Sequence, residues 1–187
     1  ITPPSTPAGV VATGVSATEI DVSWNSSTDD VGVTGYIVRR GGVQVGIIVA
    51  PVTTYVDTGV LPLTTYTYQV QAQDAAGNIS PSSAGASATT PADRTAPTPP
   101  TVIATSLSGT QIGLAWSGAI DNVGVTRYTI FRDGKRVTVC DGSQPTHTAG
   151  GLNPTTTYNH TNTPTHERAT QTDPRTPVHA THPNISP

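Results

Sequence analysis

The sequence predicts an all-β chain of two antiparallel, seven-stranded sandwiches in tandem, and three observations predict it. The first is composition. Of 187 residues, 34% are apolar and 11% charged, while Gly (18) and Pro (17) are abundant. Helical bundles and coiled coils draw on Ala, Leu, Glu and Lys, so this mix points to short strands and frequent turns. The second is an internal repeat. Displaced by 92 positions, the chain matches itself without a gap: Trp24 falls on Trp116, Tyr36 on Tyr128, Pro62 on Pro154 and Tyr66 on Tyr158. Asp29-Asp30-Val31-Gly32-Val33-Thr34 falls on Asp121-Asn122-Val123-Gly124-Val125-Thr126. The third is a period of two inside each copy, which marks strands with one buried face.

In order along the first copy, Val10, Ala12, Val15, Ile20, Val22 and Trp24 take alternate places, apart from one step across a turn. Val102, Ala104, Leu107, Ile112, Leu114 and Trp116 repeat the pattern. Arg40-Gly41-Gly42 and Asp133-Gly134 sit between strand-like runs and read as tight hairpin turns, because they accept positive φ readily. Strands are expected near 8–13, 18–24, 34–40, 43–48, 53–57, 64–73 and 84–90. Seven short strands in one copy, with no helical stretch, make an antiparallel sandwich. The domains are expected at 1–92 and 99–187, with a Pro-rich linker at 93–98 that is extended and semi-rigid.

Trp24, Tyr36 and the run Val60-Leu61-Pro62-Leu63-Thr64-Thr65-Tyr66 resemble the fibronectin type III pattern. Trp116, Tyr128 and Leu152-Asn153-Pro154-Thr155-Thr156-Thr157-Tyr158 repeat it. The resemblance implies immunoglobulin-like sandwiches with Trp24, Trp116, Tyr36 and Tyr128 as framework. Tyr66 and Tyr158 match the family's tyrosine corner, whose hydroxyl bonds nearby backbone. The Thr- and Ser-rich surface, the Asp-Asn/Asp-Val-Gly-Val-Thr loop and Asp74-Ala75-Ala76-Gly77-Asn78 are similar to the bacterial branch. Its members occur in secreted chitinases, cellulases and other polysaccharide-degrading enzymes. The implied function is a non-catalytic spacer in a secreted, extracellular protein, whose partners are covalently linked catalytic or binding domains. Two alternatives belong to other classes: a weak carbohydrate-binding module for insoluble chitin or cellulose, and a surface adhesion module.

The copies diverge unevenly. Roughly two in five residues agree over 7–45, and about one in five over 46–91. After about residue 138 the pattern is lost: Tyr66-x-Tyr68-x-Val70-x-Ala72 becomes Tyr158-x-His160-x-Asn162-x-Pro164, and Tyr55 becomes His147. Proline gives no N–H to a ladder, and an unpaired buried Asn costs about 1–3 kcal/mol. Three readings stand: a drifted repeat held by its neighbour, a core repacked around polar groups, or a misread sequence. Peptide mass mapping of residues 138–187 tests the last, and matching masses remove it.

The chemistry-bearing residues point away from a reaction. A net charge of -3, with nine unclustered Lys and Arg, excludes a basic nucleic-acid face. No apolar run approaches the roughly 18 residues of a membrane span. Ile1-Thr2-Pro3-Pro4 does not read as a signal peptide, which suggests a mature or excised piece. Cys140 is the single cysteine, so no internal disulfide forms, and it reads as a small buried hydrophobe. His147, His160, His166, His179 and His182 match no compact metal spacing, and no metal or other cofactor is expected. Asp29, Asp30, Asp121 and Asn122 could offer oxygen ligands to calcium, but turn formation explains them more simply. The twelve carboxylates fall mostly in turns and on solvent faces, and a sandwich without long insertions has no cleft to hold a catalytic pair. No Gly-x-Ser-x-Gly elbow, Gly-rich phosphate loop or Arg-Gly-Asp tripeptide occurs. Sugar rings stack on aromatic platforms, yet eight of the nine aromatic residues hold framework positions. Phe131, bracketed by Ile130 and Arg132 on the other face, is the one candidate carbohydrate contact.

Overall fold

Gly41 and Gly42 take φ of 58° and 83°, and Asp133 and Gly134 take 50° and 78°. Two successive positive φ values form the hairpin turn whose twist matches that of the strands it joins. In the computed structural model, which describes residues 2–166 and 180–181, these turns close the central hairpin of each of two units, Ile1–Asp93 and Arg94–Pro187.

The first unit has seven strands: β1 Val11–Ser16, β2 Glu19–Ser23, β3 Val33–Arg40, β4 Val43–Val49, β5 Thr54–Asp57, β6 Thr65–Asp74 and β7 Ala86–Thr89. They form a three-stranded sheet in the order β1-β2-β5 and a four-stranded sheet in the order β4-β3-β6-β7, with every pair antiparallel. The first strand starts later than the sequence pattern places it. Ala8 still accepts the Asn25 N–H at 2.8 Å, but Gly9 turns to φ 62° and interrupts the ladder before Val11. Between the sheets lie Ile20, Val22, Trp24, Tyr36, Val38, Val60, Tyr68, Val70 and Ala72, all buried. Apart from Val60, which the loop between β5 and β6 supplies, each comes from the inward half of a period-two run, so the pleat itself delivers them to one core.

The second unit repeats the plan with β8 Thr101–Ser108, β9 Gln111–Ser117, β10 Arg127–Arg132, β11 Lys135–Asp141, β12 Thr146–Ala149, β13 Asn159–Thr165 and β14 Ala180–Thr181. The sheets run β12-β9-β8 and β11-β10-β13-β14. The buried apolar cluster here is Ile112, Leu114, Trp116, Tyr128, Ile130 and Leu152. The inward positions of β13 are filled by His160, Asn162 and Pro164, all buried. Pro164 is accommodated by the phase of the ladder. The Asp133 N–H bonds the Asn159 carbonyl at 2.8 Å, which sets odd-numbered residues of β13 toward β10. The even-numbered Pro164 therefore turns its nitrogen away from that partner, and no β10 bond is lost. Asn162 has no such remedy: among the described residues neither atom of its amide finds a hydrogen bond. Asn162→Val, which restores the residue of the first copy, is expected to stabilise this unit by about 1–3 kcal/mol. Urea unfolding of the variant against the parent chain measures it.

Candidate functional site

Each framework aromatic does mechanical work that its position explains. Trp24 on the exit of β2 meets Tyr36 of β3 across the core, with ring centroids 5.3 Å apart and an edge-on angle of 61°. Trp116 and Tyr128 repeat the contact at 5.4 Å and 56°. The Tyr36 hydroxyl accepts the Ser27 N–H at 3.0 Å. Tyr66 at the start of β6 accepts the Leu61 N–H at 2.9 Å, and Tyr158 accepts the Asn153 N–H at 2.9 Å. Each bond ties a loop to the sheet across five residues. Tyr66→Phe is expected to lower stability by about 0.5–1.5 kcal/mol, read as a shift in thermal midpoint.

Asp29, Asp121 and Asp74 act as turn acceptors. Asp29 Oδ2 takes the N–H groups of Val31 and Gly32, each at 3.0 Å, and Asp121 Oδ1 takes that of Val123 at 2.9 Å. Asp74, at the end of β6, accepts the N–H groups of Ala76 and Asn78 on Oδ1 and the Asn78 amide on Oδ2 at 2.6 Å. The Asn78 side chain foremost, aided by the backbone N–H groups of the loop, holds the Asp74 carboxyl below its ordinary range. A depressed carboxyl stabilises the fold fully above its unfolded value of about 3.9 and loses that contribution as pH falls through the folded value. Asp74→Ala is therefore expected to lower stability at neutral pH and to flatten the decline below pH 4. Unfolding curves at pH 7 and pH 3 report both.

One polar group went unnoticed in the sequence. Asp57, at the inward end of β5, is buried and accepts from Arg40 at 2.8 Å, from the Tyr68 hydroxyl at 2.9 Å and from the Gly59 N–H at 3.0 Å. The Arg40 guanidinium also reaches the Gly59 carbonyl at 2.9 Å and lies 5.2 Å over the Tyr66 ring. Burial first, then the neighbouring carboxylate, pushes the Tyr68 hydroxyl far above its ordinary value, so it stays a donor. The signal was available: Asp57 shares the inward parity of Tyr55, and an acid at such a position requires partners.

Phe131 lies on the outward face of β10, half-buried, between Arg136 of β11 and Thr161 of β13. Val139, paired with Thr129 on the same face, is exposed. A hollow lined by Ser108, Gln111, Leu152, Asn153 and Tyr158 measures about 10 Å³. That holds one water, against roughly 300–1,000 Å³ for a small-molecule site. Burial raises the Cys140 thiol and lowers the His147 imidazole. His179 and His182 lie outside the described residues.

The two-sheet topology, the paired tryptophan and tyrosine, and the tyrosine corner define a fibronectin type III sandwich. Residues 4–88 match the family model for the fibronectin type III domain, and the first module belongs to that family. The second repeats its strand order and corner. The chain is 40% identical over 166 residues to exoglucanase B of Cellulomonas fimi, which covers 86% of this chain and 15% of that protein. It is 39% identical over 165 residues to chitinase A1 of Niallia circulans, covering 86% of this chain and 23% of that one. Chitinase Chi52 of Paenibacillus xylanexedens is 50% identical over 88 residues, or 47% of this chain and 16% of its own length. The chain thus spans less than a quarter of these relatives. What it shares with them is a non-catalytic module array of the kind found in polysaccharide-degrading enzymes.

Proposed function

We propose that this chain is a spacer pair within a larger, secreted, polysaccharide-degrading bacterial protein, where it sets the distance between a catalytic domain and a binding domain or cell surface. The observation that carries this is the extent of the match. Both modules align together to a minor part of an exoglucanase and of a chitinase. The residues add support: Asp57, Arg40 and Tyr68 of the first module satisfy one another, and Asp29, Asp74 and Asp121 accept backbone N–H groups of their own loops. The Pro-rich stretch 93–98 supplies a stiff connection.

The test is a chimera in which the pair joins a cellulase catalytic domain to a cellulose-binding domain. Deleting the pair is expected to leave hydrolysis of a soluble oligosaccharide unchanged and to reduce hydrolysis of insoluble cellulose. Equal loss on both substrates, or no loss on either, contradicts the spacer reading.

A second reading has one observation in its favour, the outward Phe131 beside the exposed Val139. Weak stacking of a chitin or cellulose chain on that face would be saturable and would vanish in Phe131→Ala.

A further inference from the structure

The two modules treat one edge of the larger sheet differently. β4 and β11 hold the same place, each at the end of its sheet's strand order. β11 carries Lys135 and Arg136 at its start and Asp141 at its end, charges of the kind that guard an open edge against pairing. The corresponding residues of β4 are Val43, Gln44 and Val49, and no charged residue lies between Arg40 and Asp57. Val43, Ile47 and Val49 are 68%, 63% and 72% exposed, and Val52 in the following loop is 51% exposed. Ile47 pairs with Ile37 of β3 and Val49 with Gly35, so the apolar margin continues onto the outward face of the sheet.

Ladder phase fixes which backbone groups this edge offers. The Ala50 N–H bonds the Thr34 carbonyl at 3.1 Å, which sets the even-numbered residues of this stretch toward β3. A register shift opposite Val38 and Arg39 ends the regular stretch at Gly46. From there on, the odd-numbered Ile47 and Val49 turn their N–H and carbonyl groups to the open side. The flanking carbonyls are occupied: that of Val49 accepts the Val52 N–H at 3.2 Å, and that of Val45 accepts the Tyr55 hydroxyl at 2.9 Å. Ile47, between them, is the residue placed to pair through both of its backbone groups.

We propose that β4 is a self-pairing edge: two copies of this chain join their first modules antiparallel about a two-fold axis at Ile47. The contact is isologous, with the same surface on both sides. Ile47 lies opposite Ile47 of the second copy and exchanges two backbone bonds with it, while Val49 lies opposite Val45. No like charges meet, because the edge has none. Setting β4 against β11 instead would place Lys135 and Arg136 on apolar neighbours, which the loss of their water opposes. The occupied carbonyls on either side confine the match to one register, and the two-fold axis closes it at two copies. One strand and one loop offer less than the roughly 800 Å² per partner of a stable complex, so the dimer is weak and reversible.

Sedimentation of the intact chain between roughly 10 μM and 1 mM, the range of a small interface, tests this. The average mass is expected to rise reversibly from 19.2 kDa toward twice that value. Ile47→Lys, at an exposed position, is expected to stay monomeric throughout with its thermal midpoint near that of the parent chain. Val139→Lys, the same position on β11, is expected to dimerise as the parent does. A monomer at every concentration overturns the proposal and leaves the edge to a different partner. So do a dimer that survives Ile47→Lys, a dimer that Val139→Lys abolishes equally, and growth beyond two copies. Should Ile47→Lys not fold, cross-linking replaces it. In a Cys140→Ser chain, Ile47→Cys brings two thiols onto the axis with Cα atoms about 5.5 Å apart, within disulfide reach. Val49→Cys sets them about four residues apart along the strands, or roughly 13 Å. Oxidation is expected to link the first variant into dimers and not the second, and equal linking of both, or of neither, overturns the two-fold pairing.

Discussion

Trp24→Ala destabilises the first module by about 3–5 kcal/mol, the range for removing a large aromatic side chain from a close-packed core. Trp24 is 4% exposed, packs edge-on to Tyr36, and sits among Ile20, Val22, Val38 and Val70, so its loss leaves a void that rigid strands cannot collapse. The edge-on contact supplies about 0.5–1.5 kcal/mol of this beyond burial. A domain of this size has roughly 5–15 kcal/mol in hand, so the variant lies near the limit of folding. Chemical denaturation followed by far-ultraviolet circular dichroism measures the loss, with the fluorescence of the remaining Trp116 marking the transition of the second module. A change under 1 kcal/mol would mean that the core is not built around this residue.

Asp57→Ala is the second large effect, about 3–5 kcal/mol, and for a different reason. The residue adds little bulk, but it is the common acceptor for Arg40, Tyr68 and the Gly59 N–H. Asp57 is the buried member of the pair and Arg40 is part-exposed, so removing the acid leaves the Tyr68 hydroxyl and the Gly59 N–H without their acceptor beside a guanidinium that keeps some access to water. Arg40 retains the Gly59 carbonyl and its place over Tyr66, whereas the Tyr68 hydroxyl, in a fully buried side chain, loses its acceptor. Tyr68→Phe alone should therefore be milder than Asp57→Ala. In the double variant the second change should add less than its single value, and a double-mutant cycle by urea unfolding reads this non-additivity.

Much of this architecture was legible because the strands are half-buried. Ile20, Val22 and Trp24 alternate with Asp21 and Ser23, so parity alone separates core from solvent, and the repeat places the same reading on Ile112, Leu114 and Trp116. The tight turns were legible through Gly41-Gly42 and Asp133-Gly134, whose positive φ values few other pairs accept. The start of β1 was less so, since Gly9 reads as an ordinary residue of an extended run until the ladder shows its left-handed φ. Asp57 escaped notice because its partners, Arg40 and Tyr68, are distant in sequence and meet only when the sheets close. The strand from Asn159 to Thr165 looked incompatible with a sandwich by side-chain type. It forms because hydrogen bonding to β10 depends on the phase of the backbone, which side-chain chemistry does not reveal.

The central claim, that these modules space other domains and do not themselves hold polysaccharide, is tested most directly by depletion. The intact pair is mixed with insoluble chitin, cellulose and xylan, with serum albumin alongside as a non-binding control, and the protein left in solution is measured. The spacer account predicts the same recovery as albumin on all three polymers. Saturable depletion on one of them, abolished by Phe131→Ala, would contradict it and make the outward face of β10 a binding surface for that polymer.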